Sequence, residues 1–165
     1  MMKKIKMLIC LLFISTGLFA QKVEIPNDLK LETAEDYKKT EQLVLNSSEW
    51  LLKTPISENP DKRKKISAFL MQWMSGSPTV TIELVSGIVP LDSPDYLMLF
   101  MSGWTKYSLE NEYSKNKVEC AFAGAENAIA FYLKNKSELG KSSEMEKLIK
   151  QQKKGSLKKY IESKL

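Results

Sequence analysis

Two serines lie where an apolar stretch at helical spacing gives way to alternating residues, in the sequence SGSPT. A serine held in a tight turn can act as a nucleophile, so Ser75 and Ser77 are the first candidates for chemistry. The surrounding residues do not form the G-x-S-x-G motif, and the order of elements is helix to strand, whereas a nucleophile elbow needs strand to helix. A serine–lysine pair without histidine stays formally open. We interpret both serines as turn residues.

The chain contains no histidine, and this excludes several kinds of chemistry. Histidine is the usual base beside a catalytic serine or cysteine and the commonest metal ligand, so sites built on it are excluded. The two cysteines, Cys10 and Cys120, are too few for a four-thiolate site. Cys120 has apolar neighbours and an adjacent carboxylate, which is typical of a buried structural thiol. We therefore predict no metal site and no cofactor.

Pairs of carboxylates offer the alternative of chemistry without histidine. Glu119 and Glu126 are seven residues apart and can share one face of a helix. Two such groups can act as acid and base in glycoside hydrolysis, or bind a hard cation. No further acidic residues cluster around them, so we interpret both as residues of a solvated helix face. Asp92 and Asp95 surround Ser93-Pro94 and are typical of a helix start.

The sequence DKRKK, residues 61–65, places four cations in the first turns of a predicted helix. The helix dipole favours anions there, so this charge distribution is unusual. Arg63 is the only arginine of the chain, and arginine binds carboxylate or phosphate in a bidentate manner. The functional hypothesis is an anion-binding site formed by Lys62, Arg63 and Lys65 at a helix N-terminus. The alternative is a solvated face with one internal salt bridge for Arg63.

The first twenty residues have the pattern of a secretory signal peptide. Lys3, Lys4 and Lys6 precede an apolar run from Met7 to Phe13, and Ala20 supplies a small residue at the cleavage site. The run is shorter than the roughly 20 residues that span a bilayer, which argues against an uncleaved anchor. A lipoprotein processed at Cys10 fits poorly, because that cysteine lies inside the apolar run. We predict export to the periplasm or the exterior, with no transmembrane span after cleavage.

The remaining residues 21–165 have a length that suits one domain. The leader holds three of the five net positive charges, so the exported chain has a formal charge of +2. A nucleic-acid binder is usually more basic, and we predict no nucleic-acid partner. Residues 141–165 contain eight lysines and three glutamates. This lysine-rich end predicts contact with a protein or another acidic or anionic partner; the alternative is a solvated last helix.

Apolar residues recur at helical spacing in five or six stretches, separated by cap residues and prolines. The starts are marked by Thr33 with Asp36, Asn59-Pro60, Ser93-Pro94, Ser143 with Glu146, and Ser156. Gly76 is placed to form a left-handed helix cap, Gly155 is placed to end a later helix, and Asn135 to Ser142 is predicted to be a loop. The three tryptophans, Trp50, Trp73 and Trp104, are predicted to lie inside. Residues 79–89 instead alternate, which is typical of a strand, but one short hairpin is not an independent sheet. The sequence predicts a mainly α single domain, a helical bundle or compact array of five to six helices with one β-like extended segment.

These observations favour an exported, non-catalytic helical module that binds a ligand or another protein. The first alternative is a histidine-independent enzyme, such as a carbohydrate hydrolase, in which two carboxylates converge in a cleft. The second is a helical subunit whose surface is completed by oligomerisation. The binding hypothesis predicts that any uncovered apolar surface lies beside residues 79–89.

Overall fold

The computed structural model describes residues 23–165, and the predicted leader 1–20 lies outside these residues. The described chain is mainly helical and has no sheet, which confirms the predicted fold class. The chain order is α1 (Ala34–Lys53), α2 (Pro60–Gly76), α3 (Pro94–Glu110), α4 (Lys117–Leu139), α5 (Ser143–Lys153) and α6 (Leu157–Glu162).

Helices α3 and α4 form the centre of the fold, and two glycines let their backbones approach closely. A Cβ atom added at Gly103 would lie 2.6 Å from the Ala123 carbonyl oxygen, and one added at Gly124 would lie 2.7 Å from that of Phe100. The run of small residues in α4 predicts such an approach. Ten residues of α3 are buried, so this helix is covered on nearly all sides.

The tryptophans show how the outer helices pack onto this pair. Trp73 and Trp104 are buried, as the sequence predicts. The Trp73 indole donates to the Thr40 hydroxyl at 2.9 Å, which joins α2 to α1. Trp50 is only half-buried, so the prediction that all three tryptophans lie inside is correct for two of them.

Most helix starts follow the local sequence, with one shift of a residue. Thr33 forms the predicted capping box with Asp36, and the Ser93 hydroxyl accepts from Asp95 N–H. The prediction for α5 is wrong by one position, because Ser142 is its cap and accepts from Met145 N–H at 3.0 Å. A box at the following serine would leave the buried Ser142 hydroxyl without that partner.

Two predicted helix ends differ from the structure because of tertiary packing. Gly76 is not a left-handed cap but the last residue of α2, packed so closely that an added Cβ would lie 2.0 Å from the Tyr37 hydroxyl. Residues 135–142 were expected to form a loop, yet α4 continues to Leu139. Its last turns are held by Asn135, whose side chain accepts from Ile56 N–H and donates to the Phe131 carbonyl.

Residues 77–93 connect α2 to α3 and are called the 77–93 loop below. The alternating part forms no strand, and its only pairing with the described part of the chain is an isolated bridge between Ser86 and Val89. Ile88 and Val89 N–H both bond the Val85 carbonyl, which closes a turn at Gly87. The expected β-like segment is therefore a loop fastened to helices, not a hairpin.

Candidate functional site

The first half of the 77–93 loop is fastened to α3 and α4. The Trp104 indole donates to the Thr81 carbonyl at 3.0 Å. Two residues further on, the Glu83 carboxylate pairs with the Lys117 ammonium at 2.7 Å, at the start of α4. Both contacts come from the central pair of helices, so they fix the position of this half of the loop.

The second half of the loop is fastened to α5 and α6. The Tyr160 hydroxyl donates to the Gly87 carbonyl at 2.9 Å, and Leu91 N–H donates to the Glu144 carboxylate at 2.8 Å. Gly87 has a φ of 82°, a conformation that favours glycine and turns its carbonyl toward α6. The loop thus touches four of the six helices through specific hydrogen bonds or ion pairs.

Side-chain burial divides the loop into anchors and exposed residues. Val80, Ile88 and Val89 are buried in the core. In contrast, Leu84 is 53% exposed and Leu91 is 61% exposed, which makes Leu91 the most exposed of the large apolar side chains in residues 23–165. Fastened loops with uncovered apolar residues are typical of binding surfaces, because a long irregular connection without a function is uncommon.

Two lysines flank the aromatic ring that holds the loop. The ammonium groups of Lys147 and Lys164 lie 5.3 and 5.9 Å from the centre of the Tyr160 ring. The pKa of Lys147 is raised, first by its interaction with the Tyr160 side chain. Within residues 23–165 neither ammonium forms an ion pair, and the same holds for the exposed lysines Lys150, Lys153, Lys154 and Lys159. Lys147 and Lys164 therefore place positive charge beside Gly87, next to the Glu144 carboxylate that accepts from Leu91 N–H.

Arg63 is buried, whereas Lys62 is half-buried and Lys65 is exposed. Its side chain is only 7% exposed, and its Nη2 donates to the Thr54 carbonyl at 2.7 Å and to the Pro55 carbonyl at 3.3 Å. The guanidinium lies between the rings of Trp50 and Phe131, at 5.7 and 5.4 Å. Burial lowers the pKa of Arg63, although Asp95 opposes this. Arg63 therefore binds carbonyls at the C-terminal end of α1, and no carboxylate of residues 23–165 forms an ion pair with it.

Lys62 and Lys65 line a groove between the start of α2 and residues 23–27. The groove has a volume of about 570 Å³, and Val23, Ile25 and Ile66 supply its apolar part. Two carboxylates in the same lining balance the two lysines, so the lining has no net positive charge. The anion-binding hypothesis stays a prediction, and in this arrangement it would rest on the lysines without Arg63.

Ser77 closes a turn, Ser75 is exposed and Cys120 is buried. The Ser77 hydroxyl accepts from Thr79 and Val80 N–H at 3.3 and 3.2 Å, and so closes the turn after α2. Ser75 is exposed on α2. Burial, followed by the charge of Glu119, raises the pKa of the Cys120 thiol to about 11, which makes it a poor nucleophile.

The carboxylates named in the sequence do not converge. Glu119 pairs with Lys158 of α6, whereas Glu126 is exposed two turns further along α4. The Asp95 backbone N–H donates to the Ser93 hydroxyl, and this places the Asp95 carboxylate in the first turn of α3. Within residues 23–165, no group of three or more cysteine, aspartate or glutamate side chains is placed to hold a metal ion.

Within residues 23–165, fold and site together define an arrangement of six helices with a long, fastened and partly apolar loop. Comparison of the chain with protein-family models, curated proteins and solved structures gives no significant match. None of the helices in the described part of the chain is both long and apolar enough to cross a membrane.

Proposed function

We propose that this chain is an exported, non-catalytic binding module that recognises another protein. Its contact surface is the loop surface, defined here as Leu84, Leu91, Tyr160, Lys147 and Lys164. The signal-peptide pattern of residues 1–20 supports export. The partner is expected to combine apolar residues with acidic ones, since the loop surface combines leucines with lysines.

One observation carries this proposal: two leucines stay uncovered on a loop that several helices hold in place. Leu84 and Leu91 together contribute little to the core, because more than half of each side chain is exposed. Holding the loop rigid lowers the entropy that a partner must overcome on binding. Aromatic and apolar residues surrounded by charged ones are the usual composition of a protein interface.

Charge favours an acidic partner over a neutral one. The lysines of α5 and α6 that lack ion pairs extend the positive surface away from the loop. Opposite charge on a partner accelerates association and orients it, and this effect decreases with salt. The enzyme alternative would require converging carboxylates, and the oligomer alternative would require the loop surface to be covered by a second copy.

The first experiment tests export. The full-length chain is expressed with its own N-terminal segment in a Gram-negative host, and the periplasmic fraction is analysed by mass spectrometry. We expect a periplasmic product that lacks residues 1–20. A product that keeps this segment in the membrane fraction would contradict the proposal.

The second experiment tests the loop surface with matched variants. The exported protein is immobilised, and partners are captured from an extract of the producing cells in three forms: wild type, the double variant Leu84→Ser and Leu91→Ser, and Leu133→Ser. Leu133 is a matched control because it is 54% exposed but lies on α4. We expect a captured protein that is lost with the double variant and kept with Leu133→Ser. Equal capture by all three forms would reject the loop surface.

A further inference from the structure

The backbone of residues 81–85 has free hydrogen-bonding groups in a stretch whose sequence is typical of a strand. From Val80 to Val85 the chain runs without a helix, turn or bend, and no other segment of residues 23–165 pairs with it. Thr81 uses its carbonyl to accept from Trp104. Neither the N–H nor the C=O of Ile82 or Leu84 has a partner within the described part of the chain. Backbone groups usually find partners in a folded protein, so these are available to a ligand.

The free groups of Ile82 and Leu84 lie on one edge. In an extended chain, a residue directs its N–H and C=O to the same edge, and the next residue directs them to the other. The Thr81 carbonyl points to the Trp104 indole on α3, which defines the inner edge. The N–H and C=O of Ile82 and Leu84 therefore belong to the outer edge, and they match the groups of a hydrogen-bonded strand.

The side chains of this segment become uncovered along its length. Val80 is 3% exposed, Ile82 is half-buried and Leu84 is 53% exposed, and all three lie on the same face. A second strand beside the outer edge would place its own alternate side chains next to Ile82 and Leu84. Apolar side chains at those positions would bury the exposed part of Leu84.

We propose that the outer edge of residues 82–84 binds an extended segment of a partner polypeptide by β-strand addition. The bound segment has apolar residues at alternate positions and no proline at the positions that pair. It carries an acidic residue at the end that passes Gly87, where Lys147 and Lys164 flank Tyr160. This inference rests on the proposed binding function and names the mode of recognition and the chemistry of the partner.

A second copy of this chain fits the edge less well than a foreign strand. Two-fold antiparallel pairing that uses the free N–H and C=O groups of both residues would join Ile82 of one copy to Leu84 of the other, and it would place the two Glu83 residues directly opposite each other. Like charges at directly opposed positions destabilise a strand pair. A foreign segment can place a neutral or basic residue opposite Glu83 and avoids this repulsion.

The experiment uses a displayed library of random dodecapeptides, panned against the immobilised exported protein, and then one enriched peptide labelled with fluorescein. We expect enriched sequences with apolar residues at alternate positions. The peptide is then measured by fluorescence polarisation against Leu84→Pro, which removes an outer-edge N–H, and Thr81→Pro, which removes an unpaired inner-edge N–H. Leu84→Ala serves as the control for loss of the side chain alone.

We expect Leu84→Pro to weaken binding at least about tenfold relative to Leu84→Ala, and Thr81→Pro to change it less than about twofold. Amide hydrogen exchange followed by NMR supplies a readout independent of the variants. In the saturated complex the Ile82 and Leu84 amides should exchange at least about tenfold more slowly than in the free protein, and those of Thr81 and Glu83 should not.

The outcomes separate this inference from the proposed function. If Leu84→Pro binds as tightly as Leu84→Ala while the double leucine-to-serine variant loses binding, the loop surface stands and strand addition is wrong. If the double variant Leu84→Ser and Leu91→Ser binds the peptide as tightly as wild type, the loop surface and strand addition are both wrong. Enrichment of no peptide above the bare support would also overturn strand addition, as would protection of Ile82 and Leu84 in a dimer without peptide.

Discussion

The contact between α3 and α4 and the 77–93 loop are the two extremes of this molecule. At Gly103 and Gly124 the helix backbones are so close that no Cβ atom fits between them. In the loop, by contrast, Leu84 and Leu91 are mostly exposed, and the outer edge of residues 82–84 has no partner among residues 23–165. The helices that supply the stability also fasten the loop, through Trp104, Lys117 and Tyr160.

This difference indicates that the molecule has two parts. Helices α1 to α6, called the frame below, supply the stability, and they hold the loop surface in place. The frame satisfies its own backbone through helical hydrogen bonds and close packing. The loop keeps unused donors, acceptors and apolar area, although its position is fixed. Substitutions in the frame should therefore change stability, and substitutions on the loop surface should change binding. The predictions below test this division from the largest effect on stability to the smallest.

The largest effect is expected where a methyl group is added between α3 and α4. Gly103→Ala and Gly124→Ala should each lower the free energy of unfolding by about 2 kcal/mol, because overpacking costs more than the helix propensity that alanine gains. Urea denaturation followed by tryptophan fluorescence measures this. Gly87→Ala is the loop counterpart: the nearest atom to its Cβ is 3.6 Å away, so only the strain of its φ of 82° should appear, about 1 kcal/mol. Equal losses at all three glycines would contradict the division.

The next effect concerns the buried cation of α2. Arg63→Lys should lower the free energy of unfolding by about 2 kcal/mol, because lysine lacks the planar group that packs between the Trp50 and Phe131 rings and holds Nη2 against the Thr54 and Pro55 carbonyls. The exposed neighbour Lys65 is the matched control, and Lys65→Ala should change stability by less than about 0.5 kcal/mol. A neutral Arg63→Lys substitution would mean that Arg63 does not stabilise the frame.

A smaller effect depends on pH and involves the contact between α4 and α5. Lys136, and then the Tyr132 hydroxyl, lower the pKa of Glu146 below its ordinary value of 4.5. Because the folded protein favours the carboxylate, this contribution is fully present above pH 4.5 and is lost as the pH falls through the lower pKa of the folded state. Thermal unfolding between about pH 6 and about pH 3 should decline less steeply for Glu146→Gln than for wild type. Parallel curves would contradict this.

The smallest effect on stability is expected on the loop surface. Leu84→Ser and Leu91→Ser should each change the free energy of unfolding by less than about 0.5 kcal/mol, since both side chains are largely exposed already. Leu99→Ser in α3 is the contrasting substitution, because that side chain is fully buried, and it should destabilise strongly. A large loss at Leu84 or Leu91 would show that these leucines belong to the frame.

Local chemistry made several features of the frame predictable. The pairing of Thr33 with Asp36 and the serine–proline start of α3 depend on residues a few positions apart, and the structure confirms them. Gly155 ends α5 with a φ of 65°, as predicted. Gly76 and Asn135 could not be assigned in this way, because Tyr37 and the Ile56 backbone, which hold them, are far away in the sequence.

The site was predictable only in part. The alternation of residues 79–85 correctly marked a change from helix, and the absence of a second alternating segment was the available sign that the edge would stay unpaired. Nothing local could show that Tyr160 would bind Gly87 or that Arg63 would be buried under Trp50, because both contacts join different helices. The exposure of Leu91 likewise depends on what packs around it.

Hydrogen exchange of the free protein tests the central claim most directly. If a rigid helical frame presents an unpaired strand edge, the Ile82 and Leu84 amides should exchange close to the rate of an unstructured peptide. Amides in the middle of α3 and α4, such as those of Phe100 and Gly124, should exchange only through global unfolding. Strong protection of Ile82 and Leu84 in the free monomer would contradict the account, because the edge would already be paired.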